Sequence, residues 1–293
     1  MIRPALVLAA LAIPVTTVAL AAGGGPSPGV SQGGEGVLTP NGKIRYVAVA
    51  AAGHTTVEAV RVAGGIVGRF TSLPGTFGVP LVAQDGSAGG LSGDGRTLVL
   101  ATYPVLPGAS AVTKLAVVDT SRLRLRRIVT LPGSYSYDAI SPNGSRVFVI
   151  EYVSYAPSSN AVAYRVRALD VATGRLLAGT IAAKGEAASD MQGFPVTRAP
   201  TRDGAWAYTL YARSGAGKAF VHALDTRHGA AFCIDLPWSN AGGALWSVRM
   251  RLTHGGSTLE LRHPVVGLLA TIDTRSFRVR VLKKPVAPGT PIR

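Results

Sequence analysis

The chain has 293 residues, 47% hydrophobic and 15% charged, which excludes a disordered polar chain and provides enough apolar surface for a large core. Its 36 glycines and 19 prolines interrupt the chain too often for long helices and suit many short strands joined by turns. Lys and Arg number 30 against 15 Asp and Glu, a net charge of +15, but the arginines recur along the chain instead of forming one tract. That spacing fits general solubility charge and does not point to a specific nucleic-acid partner.

The first element is an export signal. Arg3 supplies a positive start, Ala5 to Leu20 is almost wholly apolar, and Ala19-Leu20-Ala21 places small residues at the positions a signal peptidase reads. This predicts a signal peptide over 1–21, a flexible Gly/Pro/Ser leader over 22–36 and a single domain over 37–293. The destination is outside the cytoplasmic membrane: extracellular, cell-envelope or periplasmic. An uncleaved anchor is the alternative, against which Pro14 and the Ala-x-Ala site weigh. No cysteine follows the apolar run, so there is no lipid attachment site, and no later segment has the length and apolarity of a transmembrane helix. The single cysteine, Cys233, excludes an intrachain disulfide and reads as a small hydrophobe in an apolar strand.

A repeat follows. A turn and then an alternating strand appear at Thr39-Pro40-Asn41-Gly42-Lys43, Ser92-Gly93-Asp94-Gly95-Arg96, Ser141-Pro142-Asn143-Gly144-Ser145 and Thr201-Arg202-Asp203-Gly204-Ala205. A weaker fifth copy is Thr253-His254-Gly255-Gly256-Ser257. Asn-Gly and Asp-Gly supply the positive φ that a tight hairpin turn needs. The turn glycines Gly42, Gly95, Gly144, Gly204 and Gly256 are separated by 53, 49, 60 and 52 residues. In phase with them, apolar strands end at Asp119, Asp170, Asp225 and Asp273, each followed by Thr or Val. A carboxylate there can accept hydrogen bonds from the amides of the next turn. The first unit departs, with Arg61-Val62-Ala63 at this place. Outer strands follow, several running into Leu-Pro, as at Leu73-Pro74, Leu131-Pro132 and Leu236-Pro237.

With Ser141-Pro142-Asn143-Gly144 followed by Val147 to Ile150, and Leu169-Asp170-Val171-Ala172-Thr173-Gly174, the chain resembles secreted bacterial β-propellers with YVTN-type or WD-repeat-like repeats. The resemblance spans about Val37 to Leu282, although Trp-Asp pairs are absent. It implies an all-β propeller of about five four-stranded antiparallel blades, with a sixth degenerate blade left open. Such a fold hosts both enzymes and plain binding scaffolds, so it leaves function open.

Motifs of known chemistry are absent: there is no His-Glu-x-x-His, no paired-cysteine site and no complete phosphate-binding loop. A Gly-x-Ser-x-Gly match at Gly29–Gly33 lies in the leader, not on a strand-to-helix turn. His54, His222, His228, His254 and His263 fall on turns and outer strands, where solvated histidines are expected. Arg122, Arg124 and Arg126 form a basic edge strand, which deters edge pairing or offers a surface to an anionic envelope polymer.

Subtracting Asp94, Asp119, Asp170, Asp203, Asp225 and Asp273 as turn carboxylates leaves Asp85, Asp138 and Asp190 just before inner strands. In propellers these crossings line one channel mouth. Asp85, Tyr135, Tyr137, Asp138, Asp190, Gln192 and Trp238 are therefore the candidate ligand site. The expectation is a non-enzymatic binding or scaffolding module for a protein or a polar small molecule, with no cofactor. The alternatives are a lactonase-like propeller hydrolase holding Ca²⁺ or another divalent cation at the acidic mouth, and the basic surface just described.

Overall fold

The computed structural model describes residues 28–156, 161–183, 193–213 and 217–289. They form an all-β propeller of five antiparallel blades in chain order. Blade 1 holds β2 (Val37–Leu38), β3 (Ile44–Ala51), β4 (His54–Arg61) and β5 (Ile66–Pro74). Blade 2 holds β7 (Thr97–Ala101), β8 (Val112–Asp119) and β9 (Arg124–Pro132). Blade 3 holds β10 (Ser134–Ile140), β11 (Arg146–Ala156), β12 (Ala161–Asp170) and β13 (Arg175–Leu176). Blade 4 holds β14 (Phe194–Pro200), β15 (Trp206–Ala212), β16 (Lys218–Asp225) and β17 (Ala230–Ser239). Blade 5 holds β18 (Arg249–Thr253), β19 (Thr258–His263), β20 (Gly267–Asp273) and β21 (Val279–Val281).

The turn chemistry repeats atom for atom. Gly42, Gly95, Gly144 and Gly204 all adopt φ of +70°, and each donates its N–H to the carbonyl three residues earlier. The hydroxyls of Thr39, Ser92, Ser141 and Thr201 accept from the amide that opens the next strand. The side chains of Asn41, Asp94, Asn143 and Asp203 accept from the amide two residues on. The second hairpins are closed by Asp119, Asp170, Asp225 and Asp273, whose Oδ1 atoms accept two- and three-residue turn amides. The residue after each aspartate explains the Thr or Val there: Thr120, Val171, Thr226 and Thr274 donate their N–H back to the first turn. The three threonines add a hydroxyl bond to the turn glycine's carbonyl. Each blade is thus locked by local bonds that need no other blade.

Blade 2 has no continuous inner strand. Gly78 pairs with Ala101 and Leu91 with Leu98, while the chain between makes an excursion. Within it, β6 (Val79–Leu81) pairs with β1 (Gly29–Ser31) in a separate two-stranded sheet.

Four apolar cores sit between successive blades. Tyr46, Val57, Leu73, Leu98 and Val118 join blades 1 and 2; Val99, Val117, Tyr135 and Val149 join 2 and 3. Phe148, Tyr164 and Leu224 join 3 and 4; Leu210, Val221, Leu259 and Leu269 join 4 and 5. The first four inner turns meet at one end of the axis. The Asp94 amide donates to Pro142 O (2.9 Å), and Arg202 Nε donates to Pro40 O (3.0 Å). Gly93 packs so tightly that a Cβ there would lie 1.8 Å from Asp203 O.

Two expectations change. His222 and His263 are buried, not solvated, because both lie within strands covered by neighbouring elements. The outer strand of blade 4 runs on through Ser239, since Lys218 pairs with Ser239 beyond a bulge in β17, so Trp238 is still in the strand.

Candidate functional site

A cavity of about 530 Å³ lies where blades 1 to 4 face one another, and it contains Asp85, Tyr137 and Asp138 in its wall. Two local features bring them there. The excursion of blade 2 crosses to blade 4, where the amides of Gln84 and Asp85 donate to Pro195 O (2.9 Å) and Val196 O (3.2 Å). Asp85 Oδ1 then accepts the Ser87 amide (3.0 Å) and hydroxyl (2.6 Å), which fixes its rotamer. Its other oxygen lies 3.7 Å from Arg249 Nε on blade 5.

Asp138 sits in a β-bulge, since Tyr137 pairs with Val149 and Ala139 with Phe148, leaving Asp138 unpaired in the ladder. Blade 4 carries the matching irregularity at Val196, between Pro195 and Thr197. A bulge inserts one residue and re-aims its side chain. Here the result is an ion pair: Arg198 donates to both the carboxylate and the backbone carbonyl of Asp138, and Arg198 Nε donates to Thr209 Oγ1 at 2.9 Å. The pair is almost wholly dry, with side-chain exposures of 6% for Arg198 and 2% for Asp138. Burial opposes the guanidinium's charge, yet the adjacent Asp138 carboxylate overrides it and raises the Arg198 pKa. Burial likewise raises the Tyr137 phenol, so it stays a neutral hydrogen-bonding group. Its ring lies over Gly89, where a Cβ would be 2.6 Å from Tyr137 Cε1; only glycine fits.

The other candidates lie elsewhere. Tyr135 is buried in the core between blades 2 and 3, beside Glu151, which is held by Arg165 (2.7 Å) and Arg167 (3.1 Å). Trp238 is buried in the core between blades 4 and 5. Asp190 and Gln192 lie outside the described residues. Among the described residues, no three His, Cys, Asp or Glu side chains gather as a cation site. Arg124 and Arg126 are on β9, with Arg122 in the preceding turn; Arg126 falls at a bulge and pairs with Asp119 at 3.1 Å. The residue that sequence reasoning missed is Arg198. Its signal is a lone cation inside the apolar inner strand Phe194–Pro200.

No family model matches the chain, and no curated protein matches it. Solved structures similar to it include the hydrazine synthase of Kuenenia stuttgartiensis, at 15% identity and a TM-score of 0.46, covering 84% of this chain and 64% of that one. TolB from Acinetobacter baumannii is 15% identical with a TM-score of 0.44, covering 89% of this chain and 56% of that one. The Dos1 propeller is 13% identical with a TM-score of 0.45, covering 84% of this chain and 56% of that one. The chain therefore spans between 56% and 64% of these structures' lengths. The propeller fold itself rests on the chain's own five antiparallel sheets in sequence order.

Proposed function

We propose that the protein is an exported binding module whose central cavity takes a small polar ligand. The observation that carries this reading is the dry Asp138–Arg198 pair in the cavity wall. A desolvated ion pair is costly to maintain unless its remaining hydrogen-bonding capacity is satisfied. A polar ligand in the cavity would meet it together with Asp85, Tyr137 and the glycine-rich backbone of the excursion. The same commitments weigh against the hydrolase alternative. Asp138 is engaged by a guanidinium and Asp85 by Ser87, so a divalent cation would have to displace both partners.

The test uses the chain secreted by its own leader, whose mass reports cleavage after Ala21. Its melting temperature is measured against a panel of amino acids, monosaccharides and dicarboxylates, with Ca²⁺ and Mn²⁺ as separate arms. The reading expects one organic class to raise the melting temperature, and a Ser87→Trp variant, which fills the cavity, to lose that response. A response to the divalent cations alone, or an organic response unchanged in Ser87→Trp, overturns it.

A further inference from the structure

We infer that one end of the propeller docks on an anionic lipid surface, a partner distinct from the ligand proposed for the central cavity. Each blade is an antiparallel sheet, so its Asn/Asp-Gly turn and its aspartate turn lie at one end. The loops from second to third strand, and the crossings to the next blade, reach the other. Contacts between blades fix this common polarity. The Ser134 hydroxyl at the start of β10 donates to Val105 O in the β7–β8 loop. Asp85 joins the starts of β14 and β18, through the Val196 carbonyl and Arg249.

The two ends differ in charge. The turn end carries the repeat aspartates interspersed with Lys43, Arg96 and Arg227, so its charge is mixed. Among the described residues, Asp85 is the one acid in the loops and crossings of the other end, and it is bound to Ser87 and faces Arg249. The cations there are Arg213, Lys218, Lys283 and Lys284. Arg213 lies over the Phe220 ring at 4.5 Å, and Lys283 Nζ donates to Val266 O at 3.0 Å. Among the described residues, no carboxylate pairs with any of the four.

Exposed apolar side chains supply the independent observation, and they gather at this same end. Val105 and Leu106 stand between Pro104 and Pro107 in the β7–β8 loop, Val265 tips the β19–β20 turn, and Trp246 lies in the crossing to blade 5. Leu106 is 63% exposed and Val265 59%. Trp246 meets Phe194 edge to face at 6.2 Å, which holds its ring in place. The chain also enters the domain here, since a Cβ on Gly29 would lie 3.0 Å from the hydroxyl of Tyr103, itself about half exposed. Large apolar surface left in water marks a docking site. The tips stand on separate loops of blades 2 and 5, which do not adjoin, a spacing that suits a flat partner better than a peptide. Tyr and Trp favour the water–lipid boundary, aliphatic tips the acyl region beneath it, and unpaired Lys and Arg an anionic headgroup layer.

The experiment floats the chain secreted by its own leader with vesicles of phosphatidylcholine, alone or mixed equally with phosphatidylglycerol. Binding to the mixed vesicles is expected, with little to the neutral ones. Leu106→Ser should weaken it about tenfold, by removing an apolar tip without changing charge. Lys283→Gln/Lys284→Gln should weaken it about fivefold per charge removed. Arg122→Gln/Arg124→Gln removes the same charge from the turn end, beyond screening distance, and should leave binding within about twofold. All five positions are exposed, so these variants are expected to fold. The inference is overturned by equal binding to neutral vesicles, by equal losses in the two charge pairs, or by binding unchanged in Leu106→Ser. Retention on polyglutamate with none on the mixed vesicles would assign this end to an acidic polymer, and overturns it as well.

Discussion

Blades 1 and 4 are built with the same first-turn chemistry and end in different environments. Blade 4 is covered on both sides: Ala207, Leu224 and Ala231 pack on blade 3, and Tyr208, Leu210, Val221 and Ala223 on blade 5. Blade 1 packs Tyr46, Ala48, Val57, Ala59 and Leu73 on blade 2, while Val49, Val67 and Phe70 stay exposed, Phe70 at 72%. Blade 5 does not offer a matching apolar face there; Arg251, Glu260 and Arg262 occupy it in an ion-pair cluster. The difference separates two tasks. Local turn bonds are enough to form a blade, whereas stability depends on how many faces its neighbours cover.

Three measurements sharpen or break this comparison, in order of expected size. Arg198→Leu leaves the Asp138 carboxylate buried and unpaired, so urea unfolding should show a loss of about 3–5 kcal/mol. The double variant Asp138→Leu/Arg198→Leu should lose less than the single one. A greater loss in the double variant would mean that the pair stabilises the fold outright.

Leu210→Ala in blade 4 should cost about 2–5 kcal/mol by lost burial and an unfilled cavity. Phe70→Ala in blade 1 should stay within about 0.5 kcal/mol. Comparable losses at the two positions would show that the outward face of blade 1 is covered in solution.

The smallest effect is acid-dependent and also divides the blades. Hydrogen bonds from Ser121 hold the Asp119 carboxyl below its usual range, and turn amides and hydroxyls do the same for Asp170 and Asp273. A carboxylate with a lowered folded-state pKa contributes stability that is present above the unfolded value, near pH 3.9, and is lost as pH falls through the folded value. Blades 2, 3 and 5 should therefore loosen below about pH 4. Blade 1, whose corresponding turn is Arg61-Val62-Ala63, should not do so by this route. Hydrogen exchange at pH 5 and pH 3 reads this blade by blade, and Asp119→Asn should flatten the change in blade 2. Equal acid sensitivity in blade 1 would rule out the turn carboxylates as its source.

Much of the architecture is visible in short stretches of chain. Thr39-Pro40-Asn41-Gly42 and its three close copies demand a positive φ at one glycine, and local hydrogen bonds then close the hairpin regardless of context. The aspartates at 119, 170, 225 and 273 act over two or three residues, so their roles are equally plain. Asp85, Tyr137 and Asp138 could be singled out by subtracting these turn acids, and they share one cavity wall.

Other features depend on neighbours distant in sequence. Ile44 to Ala51 reads as apolar as Trp206 to Ala212, yet only the second is covered on both sides. Trp238 follows Leu236-Pro237 as a linker residue would, but pairing of Lys218 with Ser239 keeps it in the strand. Arg198 meets Asp138 only because bulges in two blades, 60 residues apart, aim them at each other. The sequence by itself determined the five units and their turns, because those rest on contacts within a few residues. The tertiary structure alone decided which blade face is buried, which acid is paired and where arginines crowd, because burial and charge pairing depend on what the rest of the chain brings near.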